Sequence, residues 1–224
     1  MPRIFDNLTV ETQLLGGLRG ALQGATRADF CVGYFNLRGW ARLAQAIDEL
    51  DGGEEPACRV LVGMQRAGRE EVEQMFGFTS TQEIPDQQTL VRLRRQMAAD
   101  FRDQMTIGKA TNEADSGLRR LRRQILDGKV QIKLYLRHPL HAKLYLVHRS
   151  DVVTPKIGFL GSSNLTFSGL PNQGELNVDV ADQDAAEKLQ RWFDDRWDDR
   201  RCRGAGKDTD GDRAGAGAAA RSPL

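Results

Sequence analysis

Hydrophobic positions in this chain switch between a period of two and a period of three to four, and the switches mark out most of its elements. Asp29-Phe30-Cys31-Val32-Gly33-Tyr34-Phe35 is short, aromatic and β-branched and predicts a buried strand, within which Gly33 signals a bulge or a close approach of another segment. Next, Leu37, Trp40, Ala41, Ala44, Ile47 and Leu50 recur along one helical face, with Asn36 placed to cap its start and Gly52-Gly53 to end it. Arg59 to Gly63 predicts another strand, and the β-α-β order favours a parallel pair. Strands follow at Val130 to Leu136, Leu140 to Val147, Lys156 to Leu160 and Glu175 to Val180. The last periodic segment is a helix with Leu189, Trp192, Phe193 and Trp197 on its buried side. The pattern predicts an α/β fold, a mixed, largely parallel β-sheet flanked by helices.

Two stretches depart from this alternation. From about 68 to 127 the sequence is charged and helix-forming, including Leu90 to Met105 and Ser116 to Leu126, and it reads as a helical insertion. After Cys202 the chain is rich in Gly and Ala and lacks aromatic residues, too little apolar surface to offset ordering entropy, so 203–224 reads as a disordered low-complexity tail. One globular domain is expected over 1–202.

Composition narrows the class. The 224 residues, 40% apolar and 28% charged, suit a soluble domain with one sizeable core. Thirty-two basic against 31 acidic residues give a net charge of +1, so any affinity for phosphate must be local. The three cysteines are far apart and odd in number, no secretory signal opens the chain, and no run of about 20 apolar residues occurs. A cytoplasmic protein that does not span a membrane is expected.

The candidate chemistry lies late in the sequence. In Leu140-His141-Ala142-Lys143-Leu144-Tyr145, a period of two puts His141, Lys143 and Tyr145 on one face, with the imidazole and the ammonium about 7 Å apart along a strand. A phosphate group can bridge that span. Downstream, Gly161-Ser162-Ser163-Asn164-Leu165-Thr166 follows a strand and suits a tight turn offering hydroxyl, amide and backbone N–H donors. Arginines gather at Arg92, Arg94 and Arg95 and at Arg119, Arg120, Arg122 and Arg123, followed by Lys129 and Lys133. They read equally as a grip on a phosphate backbone or as a solvated helix face. A metal site built from His138, His141 and His148 is disfavoured by the absence of nearby Cys ligands and by Lys143 in the middle of the strand, so neither metal nor cofactor is expected.

Together, His141, Lys143, Gly161, Ser162 and Asn164 resemble the hallmark of the phospholipase D superfamily, His-x-Lys followed after the next strand by Gly-Ser-x-Asn. The runs Asp29 to Trp40, Leu136 to Lys143 and Gly174 to Asp179 look like the phospholipase-D-like domain found at the N-terminus of bacterial helicase-type proteins. One departure is that the family's Asp, with four residues between it and the Lys, falls at His148, the nearest downstream carboxylate being Asp151. The resemblance implies an α/β/α sandwich and a phosphodiesterase with His141, Lys143, Asn164 and Glu175 as catalytic groups, Glu175 orienting the imidazole. Ser162, Ser163, Arg119 and Arg123 are the expected substrate contacts.

It further implies double displacement through a phosphohistidine, in which a second imidazole protonates the leaving oxygen. Since the motif occurs once, the partner imidazole is expected from another subunit across a twofold axis. The expected substrate is nucleic acid, DNA before RNA, with a helicase partner implied by the resemblance. A lipid phosphodiesterase and a non-catalytic nucleic-acid-binding module are the alternatives.

Overall fold

The computed structural model describes residues 1–53, 55–63, 95, 99, 101–103, 105, 112–135, 140–199 and 203–204. Its strands are β1 (Ile4–Phe5), β2 (Ala25–Val32), β3 (Cys58–Val62), β4 (Val130–Leu134), β5 (Leu144–Arg149), β6 (Lys156–Gly161), β7 (Asn177–Val180) and β8 (Arg203–Gly204). They form one mixed sheet in the order β1-β7-β6-β5-β2-β3-β4-β8. Parallel pairing holds for β2–β3, where the β-α-β reading placed it, and also for β3–β4. The pairs β1–β7, β7–β6, β6–β5, β5–β2 and β4–β8 are antiparallel.

Helices cover both faces. On one side lie α1 (Leu14–Leu22), α2 (Leu37–Ala41), α3 (Ala44–Asp48) and α4 (Asn112–Leu126), over a core that includes Phe30, Phe35, Trp40, Tyr145 and Phe159. On the other lies α5 (Gln183–Trp197), whose Phe193 and Trp197 pack on Cys31, Leu61, Leu144 and Leu146. Period-two alternation in β5 accounts for the split: Leu144 and Leu146 face α5, and Tyr145 and Val147 face the other layer.

Asn36 caps α2 by accepting a bond from Gly39 N–H at 2.8 Å. The single helix expected over residues 37 to 50 is two short ones, broken at Arg42–Leu43, and it ends at Gly52 and Gly53, whose φ angles are +73° and +64°. Within the expected insertion, α4 docks on these helices through the buried Gln124, which accepts from Trp40 Nε1 at 2.9 Å and donates to Ala44 O at 3.0 Å. Most of the remainder, with Arg92 and Arg94, lies outside the described residues, as does His138. Arg203 and Gly204 of the expected tail pair with β4; residues 205–224 also lie outside the described set.

A polar network is buried between β2 and α5. The Asp29 carboxylate, fully buried, accepts from Arg59 Nε at 2.6 Å and Nη2 at 2.9 Å and from His148 Nε2 at 2.7 Å. Arg59 continues to Asp194 of α5 at 2.7 Å and lies over the Phe193 and Trp197 rings. The sheet and its covering helix are thus joined by paired charge as well as apolar contact.

Candidate active site

Strand register alone draws four segments to one end of the sheet. Cys31 near the end of β2 pairs with Leu144 at the start of β5; Leu144 pairs with Leu160 near the end of β6; Gly161 pairs with Asn177 at the start of β7. Gly33–Tyr34, His141–Lys143, Ser162–Asn164 and Glu175 therefore emerge at the same edge. His141 and Lys143 precede β5 and do not lie within it, although Lys143 O still accepts from Gly161 N–H at 3.3 Å. Glu175 likewise precedes β7.

Gly33 seats two of these groups. A Cβ added there would stand 3.0 Å from His141 Cδ2 and 3.3 Å from Asn164 Oδ1, so both side chains close over a position that only hydrogen fills comfortably. The next residue fixes the amide: Tyr34 N–H donates to Asn164 Oδ1 at 2.9 Å. This turns the Asn164 NH2 group away from Tyr34 N–H, and among the described residues it has no hydrogen-bond partner. The Tyr34 ring meets the His141 ring edge-on at 6.4 Å. The turn is anchored by Phe35 bridging to Leu165 and by Asn36 N–H donating to Leu165 O at 3.1 Å.

The charges are graded around the imidazole. His141 is exposed, and desolvation, followed by the charge of Lys143, pulls its pKa below the ordinary value, favouring the neutral nucleophilic form. Lys143 is only 4% exposed and donates to His141 O at 3.0 Å. Its burial lowers its pKa, with Glu175 and Cys31 opposing. An ammonium held this way is stripped of water and lies beside the open imidazole, an arrangement suited to a phosphoryl oxygen.

The serines divide their work. Exposed Ser162 pins the Glu175–Leu176 segment: its N–H donates to Leu176 O at 3.1 Å and its Oγ accepts from Leu176 N–H at 3.0 Å. Ser163, expected to touch substrate, is instead fully buried; its Oγ accepts from Asn177 Nδ2 at 2.8 Å and its carbonyl accepts from Tyr145 O–H at 2.9 Å. It holds the turn from the inside, against Asn177 and Tyr145.

Arg119 and Arg123 were also expected to contact substrate, and the structure brings neither to this edge. Arg119 pairs with Asp115 at 2.7 Å, one helical turn away, while Arg120 and Arg123 approach Asp48 at 2.9 and 3.9 Å. Asp48 O also accepts from Lys129, just before β4, and nearby Gly52 N–H bonds to Thr26 O at the start of β2. This is the opposite end of the sheet. His148 sits toward that end as well, paired across β2 with Arg27, up to about 23 Å of extended chain from His141. The sequence reading missed Tyr34, whose backbone role no side-chain pattern reports; Gly33 was the available signal.

With this geometry in place, comparison with known families is decisive. The sequence model described as "Cardiolipin synthase, PLD-like domain" matches residues 23–197. The chain belongs to this family. All four site segments fall inside the PLD-like match. No curated protein matches by sequence. Among solved structures, NucT from Helicobacter pylori is similar at 13% identity and TM-score 0.49, with 91% of this chain and 98% of that chain covered. Nuc from Salmonella typhimurium, described as a phospholipase D family member, gives 13% and 0.48 over 91% and 98%. The polyphosphate kinase of Porphyromonas gingivalis gives 8% and 0.49, over 91% of this chain but 23% of that one. Among the described residues of this PLD-like domain, no helix is long and apolar enough to cross a membrane.

The site also predicts its own weak point. Gly33→Ala should lower kcat by about 10- to 100-fold, because displacing either side chain by an ångström spoils alignment with phosphorus, while the melting temperature shifts by only a few degrees. Steady-state kinetics beside a thermal melt checks this.

Proposed function

We propose that this PLD-like domain is a metal-independent phosphodiesterase acting on nucleic acid. The supporting observation is the packing of the His141 ring and the Asn164 carboxamide against Gly33, with buried Lys143 next to them. Neutral His141 attacks phosphorus, a P–N bond forms as the first P–O bond breaks, and water then displaces the imidazole to release the phosphate monoester. Lys143 and the Asn164 NH2 group hold the phosphoryl oxygens as charge develops. Glu175 is assigned the orienting of the imidazole; its charge favours the ammonium form of Lys143, and Ser162 fixes the segment that carries it.

The leaving oxygen needs a proton, and His148 points elsewhere, into the Asp29 network. The partner's His141 in a twofold dimer supplies it in this reading. Sedimentation should give a dimer; a fully active monomer would overturn this assignment. The resemblance to domains preceding helicase motors supports DNA as substrate and a helicase as partner.

A second reading, phosphatidyl transfer or hydrolysis, is favoured by Leu160 and Leu176, exposed at 41% and 65% beside the site, and by the lipid enzyme in the family's description. Turnover of labelled DNA, RNA, a chromogenic phosphodiester and cardiolipin vesicles in excess chelator ranks the substrates. Reversible loss of activity in chelator would defeat the metal-free mechanism.

A further inference from the structure

The arginines at the active-site end of the sheet differ from those on α4 in having no ion-pair partner among the described residues. Arg38 and Arg42 occupy i and i+4 of the α2 segment, and both guanidinium groups lie over the Phe167 ring, 4.0 and 4.9 Å from its centroid. Arg19 of α1 joins them by donating to Arg42 O at 3.1 and 2.8 Å. Among the described residues none of the three forms an ion pair, whereas Arg119, Arg120 and Arg123 do. Among the described residues the Nε atoms of Arg38 and Arg42 are buried without a hydrogen-bond partner, a feature they share with Arg27 and Arg149.

The cluster adjoins the candidate active site through two short connections. Phe167 follows Asn164 by three residues, a reach of at most about 10 Å, and the turn between them is tightened by Thr166 N–H donating to Asn164 O at 2.8 Å. Arg38 follows Tyr34, whose N–H holds Asn164, by four residues. In a chain of net charge +1, this is positive charge without an ion-pair partner among the described residues, held beside the turn that carries Asn164. Stacking on Phe167 removes much of the rotamer freedom an arginine loses on binding, so the two forks are set in advance for phosphate oxygens.

We propose that Arg38 and Arg42, positioned by Phe167, form a subsite that binds the phosphates flanking the scissile bond of a nucleic-acid strand. The inference rests on the nucleic-acid reading above. It assigns strand binding to α2 and the turn after β6, and withdraws it from the α4 arginines.

The test compares wild type with Arg38→Gln/Arg42→Gln on two probes, a labelled single-stranded oligonucleotide and the minimal diester bis(p-nitrophenyl) phosphate. The ratio of kcat/KM for oligonucleotide over minimal diester should fall at least tenfold. The slope of log kcat/KM against log salt for the oligonucleotide should become shallower by about 1.4, at about 0.7 for each phosphate no longer neutralised by an arginine. Phe167→Leu, which keeps the apolar body but removes the ring face, should move both quantities the same way by less. An unchanged ratio and slope, or equal losses on both probes with a lowered melting temperature, would overturn the subsite. Should wild type turn over neither probe, the enzymatic reading fails separately. Oligonucleotide anisotropy then decides the subsite, tenfold weaker binding by the double variant supporting it and equal binding overturning it.

Discussion

His141→Ala should reduce turnover of a chromogenic phosphodiester in chelator by at least about 10³-fold, the scale seen when a nucleophile is removed from preorganised machinery. Oligonucleotide affinity, carried by Lys143, Asn164 and the arginine subsite, should change only a few-fold. A protein that merely binds nucleic acid would show no turnover to lose. The wild-type pH profile gives a second reading of the same group. Attack requires neutral imidazole, and desolvation and Lys143 hold the His141 pKa below its ordinary 6.5. Protonation therefore silences the nucleophile only at lower pH, and the acid limb of kcat/KM should fall below that value. An acid limb well above it would mean that the imidazole has a carboxylate neighbour strong enough to reverse the effect.

The largest expected loss of stability comes from the polar network between β2 and α5. Asp29→Ala leaves the Arg59 guanidinium, 7% exposed, without its bidentate carboxylate and should cost about 3–5 kcal/mol in urea unfolding. Arg119→Ala, at the exposed end of an i,i+4 pair, should cost less than about 0.5 kcal/mol. The contrast separates buried from solvated charge. Burial by itself would raise the Asp29 carboxyl, but hydrogen bonds from His148 and Arg59 and the Arg59 charge hold it at about 2, against 3.8 in an open chain. The folded-state value is the lower one, so this group's stabilisation, on the order of 2 kcal/mol, is complete above pH ~4 and is lost as pH falls toward 2. Wild type should lose stability across that window, and Asp29→Ala should lose less.

What the sequence made legible was periodic or capped. Alternation at 140–147 identified the two faces of β5, Asn36 and Gly52–Gly53 bounded the helical segment, and the apolar stripe of α5 found its core. The convergence of Gly33, His141 and Asn164 was readable as motifs, though not as geometry. Hidden features have physical reasons. In α1, Leu14–Leu22 contains three glycines and lacks a side-chain cap, so local propensity argued against a helix that packing enforces. The apolar spacing runs unbroken across Arg42–Leu43, where no Gly or Pro announces the break between α2 and α3. Charge types alone could not tell Arg59, buried against a carboxylate thirty residues away, from Arg119, solvated beside its own helix neighbour. Ser163 shares its motif with functional donors, yet one residue of register turns it inward to Asn177.

The bond from Tyr34 N–H to Asn164 Oδ1 joins residues 130 positions apart. Closing a flexible span of that length costs about 4 kcal/mol of chain entropy before any contact rewards it. Competence for catalysis is consequently among the last properties a refolding molecule acquires: helices and the β2–β3 pair can assemble from nearby sequence, but the oriented carboxamide exists only once the far half of the sheet has come home.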